Sequence, residues 1–483
     1  MNNNGAKEQF QMGMIGLGVM GRNLVLNMAD HGISVVGYDK NDQMVARLNH
    51  DAPSGLVHGA PSLEAFVALL EKPRNVLILV PAGAPVDGVI RDLLPHLDRG
   101  DLIIDGGNSN YKDTNRRAKA VGEKGILYLG MGISGGEKGA RFGPSMMPGG
   151  TREAYQRVED VLEAVAARVN GDACVTYLGP GSAGHYVKMI HNGIEYGMMQ
   201  LIAETYDLMK RGLGLSDERL HEVFSRWNQA ELNAYLIEIT AAIFDKVDQV
   251  TGEHLVDVIL DEARQKGTGM WASQDAMDLQ VPVPAIDIAV AMRNLSGMKA
   301  ERQQANQLLS QEIVPYAGES SAFIQHLRSA LYAGVLLTYS QGFSQLHAAS
   351  RAYGYDLKLG DVARIWRGGC IIRSGLLEKI RAAFTKTPDL PNLLLDPELG
   401  KDLAARRKDL ETVVGSALKM KIPVPGLSVT LAYLDGVQSA WLPANLVQAQ
   451  RDYFGAHTYE RIDKSGTFHT DWEASEEPHE QHR

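Results

Sequence analysis

The sequence predicts an α/β domain with a doubly wound parallel sheet of the Rossmann type, followed by a large all-α domain and a C-terminal tail. Two observations predict this order. Short apolar runs alternate with segments that can form helices over the first third of the chain, as in NVLILVP (75–81), DLIIDGGN (101–108) and ILYLGMG (126–132). From about residue 182, long periodic segments replace the strands. We therefore expect a dinucleotide-binding domain over 1–181, a helical domain for substrate binding and dimerisation over 182–440, and a tail over 441–483.

Length, charge and cysteine content exclude several classes of protein. A chain of 483 residues is too long for one hydrophobic core, and a formal net charge of −10 argues against nucleic-acid binding by the whole surface. Cys174 and Cys370 are the only cysteines, so we expect neither a disulfide framework nor a cysteine-rich metal site. The opening MNNNGAKEQFQM has no secretory pattern, and no apolar run approaches the roughly 20 residues of a membrane span. We expect a cytoplasmic protein with no membrane partner.

The first strand ends in a glycine-rich turn, GLGVMG (16–21), which is followed by an amphipathic helix and a second strand that ends at Asp39. Gly16 permits the tight turn, Gly18 lets a pyrophosphate approach the backbone, and Gly21 allows the helix to pack closely on the strand. A purely structural turn is the alternative, because glycine-rich turns between strands and helices are common. The acidic residue about 20 positions further on favours a dinucleotide site.

The segment HYVKMIHNGIEYGMMQLIAE (185–204) predicts a helix with unusual proportions. Lys188, His191, Asn192 and Glu195 stand at i, i+3, i+4 and i+7, so they share one face, here called the polar stripe. Apolar residues occupy most of the remaining positions. Spacing alone favours a polar stripe satisfied by neighbouring helices, or a buried lysine–glutamate pair, over a catalytic site.

Several motifs together carry a family resemblance. They are GLGVMG (16–21), IIDGGNSNYKDT (103–114), GISGGEKGARFGPSMMPGG (132–150), VKMIHNGIEYGMMQ (187–200), QKGTGMW (265–271), QAQRDYFGAHTYER (448–461) and FHTDW (468–472). In this order, over nearly the whole chain, they resemble the decarboxylating 6-phosphogluconate dehydrogenases in their long, dimeric form. That family lies within the β-hydroxyacid dehydrogenase superfamily.

The resemblance implies a reaction and a site. Lys188 would be the general base and Glu195 the general acid in the metal-independent oxidative decarboxylation of 6-phospho-D-gluconate to D-ribulose 5-phosphate and CO2, with reduction of NAD(P)+. The residues that it implies for substrate binding are Asn108, Ser134, Gly135, Gly136, His191, Asn192, Tyr196, Lys266, Thr268 and Arg293, with Arg451 and His457 reaching the partner subunit of a homodimer. Those expected to contact the cofactor are Gly16, Leu17, Gly18, Val19, Met20, Gly21, Asp39, Lys40, Asn41, Val80, Pro81, Ala82 and Asn108.

The cofactor motif departs from the pattern of NADP-using members. These usually carry Asn-Arg-Ser/Thr after the second strand, where this chain has Asp39-Lys40-Asn41. A carboxylate there accepts hydrogen bonds from the ribose of NAD and repels a 2′-phosphate, although Lys40 offers a compensating charge. Pro81 also stands where NADP users often have a lysine. We predict NAD use or dual specificity over strict NADP preference.

The helical region contains a faint internal repeat. The segment 197–228 resembles 337–369 at a displacement of about 140 residues, at which the polar stripe corresponds to Arg328, Leu331, Tyr332 and Val335. The second copy has thus lost the polar stripe. The chain after about residue 440 reads as loop-like, and its last residues, EASEEPHEQHR, as an acidic solvated end.

Two other functions remain open from the sequence. Another NAD-dependent β-hydroxyacid dehydrogenase, such as one acting on hydroxyisobutyrate, would not need Arg293, Arg451 and His457 for a phosphate, and such enzymes are usually much shorter. A catalytically silent nucleotide-binding protein is the second alternative. The intact pair of Lys188 and Glu195 argues against it.

Overall fold

A computed structural model describes residues 9–52, 55–309 and 311–473. Its N-terminal region is built on a seven-stranded sheet with the strand order β3-β2-β1-β4-β5-β6-β7. The strands are β1 (Met12–Ile15), β2 (Val35–Tyr38), β3 (Val57–Gly59), β4 (Asn75–Ile78), β5 (Leu102–Asp105), β6 (Leu127–Ser134) and β7 (Ser145–Gly150). β1 to β6 are parallel and β7 runs antiparallel to β6. The predicted doubly wound sheet is confirmed, with one antiparallel edge strand added.

Helices cover both faces of this sheet. They are α1 (Val19–Asp30), α2 (Asp42–Asp51), α3 (Leu63–Ala68), α4 (Ala84–Leu93), α5 (Tyr111–Gly122), α6 (Gly136–Phe142), α7 (Arg152–Gln156) and α8 (Glu159–Val165). Successive strand residues alternate between two buried cores: Leu77 belongs to one, and its neighbours Val76 and Ile78 to the other. Burial on both faces explains why these strands read as continuous apolar runs in the sequence.

A small antiparallel hairpin precedes the helical region, and its strands β8 (Arg168–Val169) and β9 (Asp172–Ala173) have two residues each. That region contains α9 (Ala183–Asp207), α10 (Asp217–Asn228), α11 (Tyr235–Phe244), α12 (Thr268–Asp278), α13 (Pro284–Ser296), α14 (Lys299–Leu309), α15 (Ser320–Tyr353), α16 (Leu359–Ile365), α17 (Leu376–Lys386), α18 (Pro397–Met420) and α19 (Pro425–Gln438). α9 and α15 pack closely at Gly342 of α15, where an added Cβ would lie only 2.5 Å from Ile194 of α9. The predicted change from strands to helices is confirmed.

The two copies of the predicted repeat have the same order of elements. The 25-residue α9 is followed by the shorter α10, and the 34-residue α15 by the shorter α16. Leu331, Tyr332 and Val335 of α15 are buried, whereas Arg328 forms an ion pair with Glu231 at 3.4 Å. At the positions that correspond to the polar stripe, the second copy therefore contributes mainly to packing.

The chain divides into two compact units, 1–431 and 432–483. The second unit contains the end of α19, then α20 (Ala444–Gly455), β10 (Tyr459–Glu460) and β11 (Thr467–Phe468). The prediction of a loop-like tail is therefore wrong at α20. Asp452 on this helix is fully buried, and its carboxylate accepts hydrogen bonds from Thr458, Thr470 and Trp472. These bonds tie the following segment to the helix, so that the unit is ordered by a polar centre that hydrophobic periodicity does not reveal.

Three sequence predictions need a further note. Within 9–52, 55–309 and 311–473, no helix combines the length and hydropathy that a membrane crossing requires. The interpretation of the opening MNNNGAKEQFQM concerns mostly residues outside the described ranges, and so does that of the acidic end after residue 473.

Candidate active site

The polar stripe lies where α9 crosses the antiparallel edge of the sheet. Glycines make this contact unusually close: a Cβ on Gly132 of β6 would lie 2.3 Å from Cβ of Lys188, and one on Gly149 of β7 would lie 2.2 Å from the backbone nitrogen of Gly184. Since no side chain separates helix from strand, Lys188 lies directly beside Ser134, the last residue of β6. The glycines of residues 130–150 thus set the distance between the sheet and α9 at the site.

Lys188 is buried and surrounded by polar atoms. Its Nζ donates to Oδ1 of Asn192 at 2.8 Å and to Oγ of Ser134 at 3.2 Å, and it lies 3.2 Å from Nδ1 of His191. None of these neighbours is a carboxylate. Burial lowers the pKa of Lys188 from its ordinary value, and Glu195 and Cys370 oppose the shift. The amine is accordingly shifted toward its neutral form.

His191 connects the amine to the rest of the stripe. Its Nε2 lies 3.2 Å from Oγ of Ser134, and its Nδ1 lies 3.8 Å from Oε2 of Glu195. Burial holds the pKa of His191 well below its ordinary value, and the adjacent Lys188 adds to the shift. A neutral imidazole can donate from one nitrogen and accept at the other, so it can orient hydroxyl groups on either side.

Glu195 lies two turns further along the same face, and its pKa is shifted in the opposite direction to that of Lys188. Its side chain is 22% exposed. Burial raises the pKa of Glu195, while Lys188 and Arg293 oppose the shift. Burial of one helix face thus favours the neutral forms of both the amine and the carboxyl group.

A cationic surface lies one helical turn beyond Glu195. The guanidinium carbon of Arg293, on α13, lies 3.6 Å from the ring centroid of Tyr196. The first turn of α12 packs on the same ring, because a Cβ on Gly269 would lie 2.5 Å from it. Thr268 at the start of α12 is buried, and Lys266 just before it is exposed. These groups can bind an anion at the end of the stripe.

The loop after β5 presents Asn108 to solvent. Asp105 holds this loop from beneath, because its buried carboxylate accepts hydrogen bonds from the backbone of Gly107 (3.1 Å) and from the hydroxyls of Ser109 (2.7 Å) and Tyr128 (3.0 Å). At the end of β6, Gly135 and Gly136 have positive φ angles of 110° and 60°. An added Cβ on Gly136 would meet no atom within 4 Å, so a ligand can approach the backbone there.

The glycine turn has the shape that a dinucleotide needs. A Cβ on Gly21 would lie 1.9 Å from the carbonyl of Gly16, whereas Gly18 faces open space, and no described side chain caps the first turn of α1. The N–H groups of Val19 and Met20 in that turn are therefore available to a pyrophosphate. Asp39 fixes the turn by accepting a hydrogen bond from the N–H of Leu17 at 2.8 Å.

A cavity of about 320 Å³ opens beside this turn. Of the residues predicted to contact the cofactor, it is lined by Gly16, Asp39, Lys40, Val80 and Pro81. Two others from that prediction lie nearby in the chain: Ala82 is half-buried in the loop between β4 and α4, and Asn41 is the exposed N-cap of α2. The residues present fit a dinucleotide.

The structure brings Ser134, Lys188, His191, Asn192 and Glu195 into one connected group. Arg451 and His457 belong to the second unit, where Arg451 donates to Gln448 at 3.1 Å and His457 packs edge-on against Phe454. Their predicted role in a partner's site stays a prediction.

The segment WRGGC (366–370) lies beside the site but was predicted only as part of the repeat. The Trp366 ring packs edge-on against His191, with centroids 5.7 Å apart. A Cβ on Gly135 would lie 2.6 Å from the carbonyl of Gly369, which also accepts the N–H of Ser145 at 2.8 Å. The paired glycines after a tryptophan were the available signal, since they mark a close backbone approach.

The sheet is mainly parallel and carries an open glycine turn, and the helix after it presents a lysine of lowered pKa and a glutamate of raised pKa. This combination is typical of a dinucleotide-dependent dehydrogenase. Two family models match the chain: the NAD binding domain of 6-phosphogluconate dehydrogenase over residues 11–179, and the 6-phosphogluconate dehydrogenase C-terminal domain over residues 184–472. The chain belongs to the 6-phosphogluconate dehydrogenase family, as its motifs predicted.

Similar proteins support this assignment over nearly the whole length. The NADP(+)-dependent, decarboxylating 6-phosphogluconate dehydrogenase of Bacillus subtilis is 52% identical over 96% of this chain and 99% of its own. The decarboxylating enzyme of Synechococcus elongatus is also 52% identical, over 96% and 99%. A solved structure of the Plasmodium falciparum enzyme, studied in its apo form, with NADP+ and with 6-phosphogluconate, has a TM-score of 0.92 and 44% identity, covering 96% of this chain and all of that one.

Proposed function

We propose that the protein converts 6-phosphogluconate to ribulose 5-phosphate and CO2 with reduction of NADP+ or NAD+. The observation that carries this proposal is the polar stripe, where one buried helix face presents an amine and a carboxyl group whose pKa values are shifted in opposite directions. The reactions named for the similar Bacillus and Synechococcus proteins support the same conclusion.

Lys188 acts first, as the general base. The nicotinamide of the bound cofactor supplies the hydride acceptor. Lys188, whose pKa burial lowers, takes the proton of the hydroxyl on carbon 3 as hydride leaves that carbon. The product is a β-keto acid. When its bond to the carboxylate breaks and CO2 leaves, Lys188 returns the proton to the former keto oxygen, which gives an enediol.

Glu195 completes the reaction as a general acid. The carbon that has lost the carboxylate must gain a proton before ribulose 5-phosphate is formed. Glu195 can donate it because burial keeps the carboxyl group protonated to a higher pH than usual, while Lys188 takes back the proton of the former keto oxygen as the ketone forms. The lysine and glutamate lie two turns apart on one helix, so they reach the substrate at different atoms without any movement of the helix.

Substrate binding is shared between the two sides of the site. Asn108, Ser134, Gly135 and Gly136 would hold the carboxylate and the hydroxyl groups, with His191 and Asn192 orienting the latter. The surface formed by Tyr196, Lys266, Thr268 and Arg293 would bind the phosphate, which is supported by the exposed lysine and by the guanidinium beside Tyr196.

We also propose that the active form is a homodimer in which Arg451 and His457 complete the partner's phosphate site. The exposed aromatic and apolar side chains of the second unit support this proposal: Trp441 is 66% exposed and Phe454 is 72% exposed. Large apolar surfaces of this kind usually become buried in an interface. The domain limits of 1–181, 182–440 and 441–483 and a cytoplasmic location remain predictions.

Absorbance at 340 nm together with CO2 release tests the proposed reaction. The wild-type protein should reduce the cofactor and release CO2 from 6-phosphogluconate in equal amounts. Lys188→Met should lower kcat by about 10²- to 10⁴-fold, and Glu195→Gln by about 10²-fold, as expected for loss of a general base or acid. Glu204→Gln removes another buried carboxylate of α9, which binds the backbone of Gly426 and Leu427, and should leave kcat within about threefold.

Two results would contradict the proposal. Cofactor reduction without CO2 release would indicate another β-hydroxyacid dehydrogenase. Absence of both signals, with normal cofactor binding, would indicate a silent nucleotide-binding protein.

A further inference from the structure

Three tyrosines converge on one buried carboxylate outside the polar stripe. The hydroxyl of Tyr111 donates to Oδ1 of Asp275 at 2.5 Å, that of Tyr353 donates to the same oxygen at 2.7 Å, and that of Tyr186 donates to Oδ2. Asp275 is 2% exposed. Among the described residues Asp275 forms no ion pair, so these hydroxyls are its hydrogen-bond partners, and a buried polar group without partners is costly in a protein interior.

The donors come from both domains. Tyr111 is the first residue of α5 on the sheet domain, whereas Tyr186 is on α9 and Tyr353 ends α15 in the helical region. Their rings also pack on one another: the centroids of Tyr111 and Tyr186 are 5.2 Å apart and edge-on. We call Asp275 and these three tyrosines the tyrosine cluster. It is a polar connection between the two domains.

Three of the four members of the cluster, Tyr111, Tyr186 and Asp275, lie close in sequence to residues of the proposed active site. Tyr111 follows Asn108 by three residues, and Tyr186 precedes Lys188 by two. Asp275 is on α12, the helix that begins at Thr268. Burial, reinforced by the Asp275 carboxylate, raises the pKa of Tyr111 and of Tyr186, so that both stay protonated and remain donors.

We propose that Asp275 is a positioning residue for hydride transfer. By gathering O–H groups from α5 and α9, it fixes the loop of Asn108, on the cofactor side, relative to Lys188, on the substrate side. One oxygen of the Asp275 side chain accepts from Tyr111 of α5 and the other from Tyr186 of α9, so this one side chain can hold both helices in register. Cofactor and substrate would each still bind without it, but carbon 3 and the nicotinamide would meet in poorer geometry.

Single hydroxyl deletions test this proposal, which rests on the proposed function. Tyr111→Phe removes only the bond from the sheet domain, and Tyr353→Phe removes a bond to the same oxygen from within the helical region. We expect Tyr111→Phe to lower kcat about tenfold, with the dissociation constants of NADP+ and 6-phosphogluconate within about twofold of wild type. The primary isotope effect with substrate deuterated at carbon 3 should rise. Tyr353→Phe should leave kcat and the isotope effect within about twofold of wild type.

Asp275→Asn should have the larger effect, because the amide cannot accept from all three hydroxyls. Its matched control is Asp402→Asn, which weakens the hydrogen bond from Tyr332 to Asp402 (2.7 Å) in the second copy of the repeat. If Tyr111→Phe and Tyr353→Phe have the same kcat and isotope effect and differ from wild type only in melting temperature, the cluster is structural and the proposal is wrong. Wild-type protein without activity would instead refute the proposed function.

Discussion

The distance between β6 and α9 should control activity, and Gly132→Ala tests this directly. A Cβ at residue 132 would lie 2.3 Å from Cβ and 2.7 Å from Cγ of Lys188. Ordinary carbon–carbon contacts are about 3.5–4.0 Å, so the helix or the strand must move by about 1 Å. Both contacts are to the first atoms of the side chain, which cannot swing away as a flexible end could. The backbone of the helix or of the strand must therefore shift.

We expect this substitution to lower kcat by about 100-fold, because a displacement of about 1 Å at a reacting group costs about two orders of magnitude in rate. Overpacking should also destabilise the protein by about 1–3 kcal/mol. The glycine turn proposed to bind the cofactor follows β1, which is separated from β6 by β4 and β5 in the sheet, and the substitution leaves all of its residues in place. NADP+ affinity, measured by titration calorimetry, should therefore stay within about threefold of wild type.

Gly415→Ala is the matched control. Gly415 lies inside α18, and an added Cβ would meet no atom within 4 Å. This change should raise stability by about 1 kcal/mol, since alanine is the better helix former, and should leave kcat unchanged. Wild-type kcat in the Gly132→Ala variant, with normal stability by urea unfolding, would refute the reasoning that this close contact places Lys188.

Two further predictions concern a buried carboxylate and the cofactor. Burial raises the pKa of Glu204 from 4.5 to about 7, so the folded protein binds a proton more tightly than the unfolded chain, and stability should fall by up to ~3 kcal/mol as pH rises from 4.5 through 7. Urea unfolding at pH 5 and pH 8 should show that the free energy of unfolding falls less in Glu204→Gln than in the wild type. An equal fall in both would contradict the raised pKa of Glu204. Lys40 is exposed at the cofactor cavity, 3.1 Å from Asp92. Lys40→Ala should lower kcat/KM for NADP+ by about tenfold and leave that for NAD+ within about twofold, whereas equal losses would exclude a contact with the 2′-phosphate.

The sheet and its order of elements could be predicted because local signals coincide there. The run DLIIDGGN gives both the strand that ends at Asp105 and the turn that presents Asn108. The helix of the polar stripe could be predicted for the same reason, since its period and composition agree. The antiparallel β7 could not, because GPSMMPGG contains two prolines and three glycines, and its pairing with β6 is a tertiary interaction.

The tyrosine cluster and WRGGC (366–370) show the limit of such prediction. Asp275 and Tyr111 are 164 residues apart in the chain, and neither has a neighbour in sequence that indicates a shared carboxylate. Likewise, Trp366 meets His191 only because the repeat folds the second copy against the first. Contacts between distant segments depend on helix packing, which a single sequence specifies only through the sum of many small terms.

The unusual proportions of α9 have a physical consequence for the proposed reaction. A lysine and a glutamate in contact with water would both be charged at neutral pH, which is the wrong state for each to begin its task. Burial has the opposite effect on the two groups: it lowers the pKa of Lys188 and raises that of Glu195. No separate device is needed for the base and the acid. Burial of the stripe among apolar residues shifts both groups toward their neutral forms. Because His191 between them also stays neutral, the imidazole adds no charge next to the Lys188 amine.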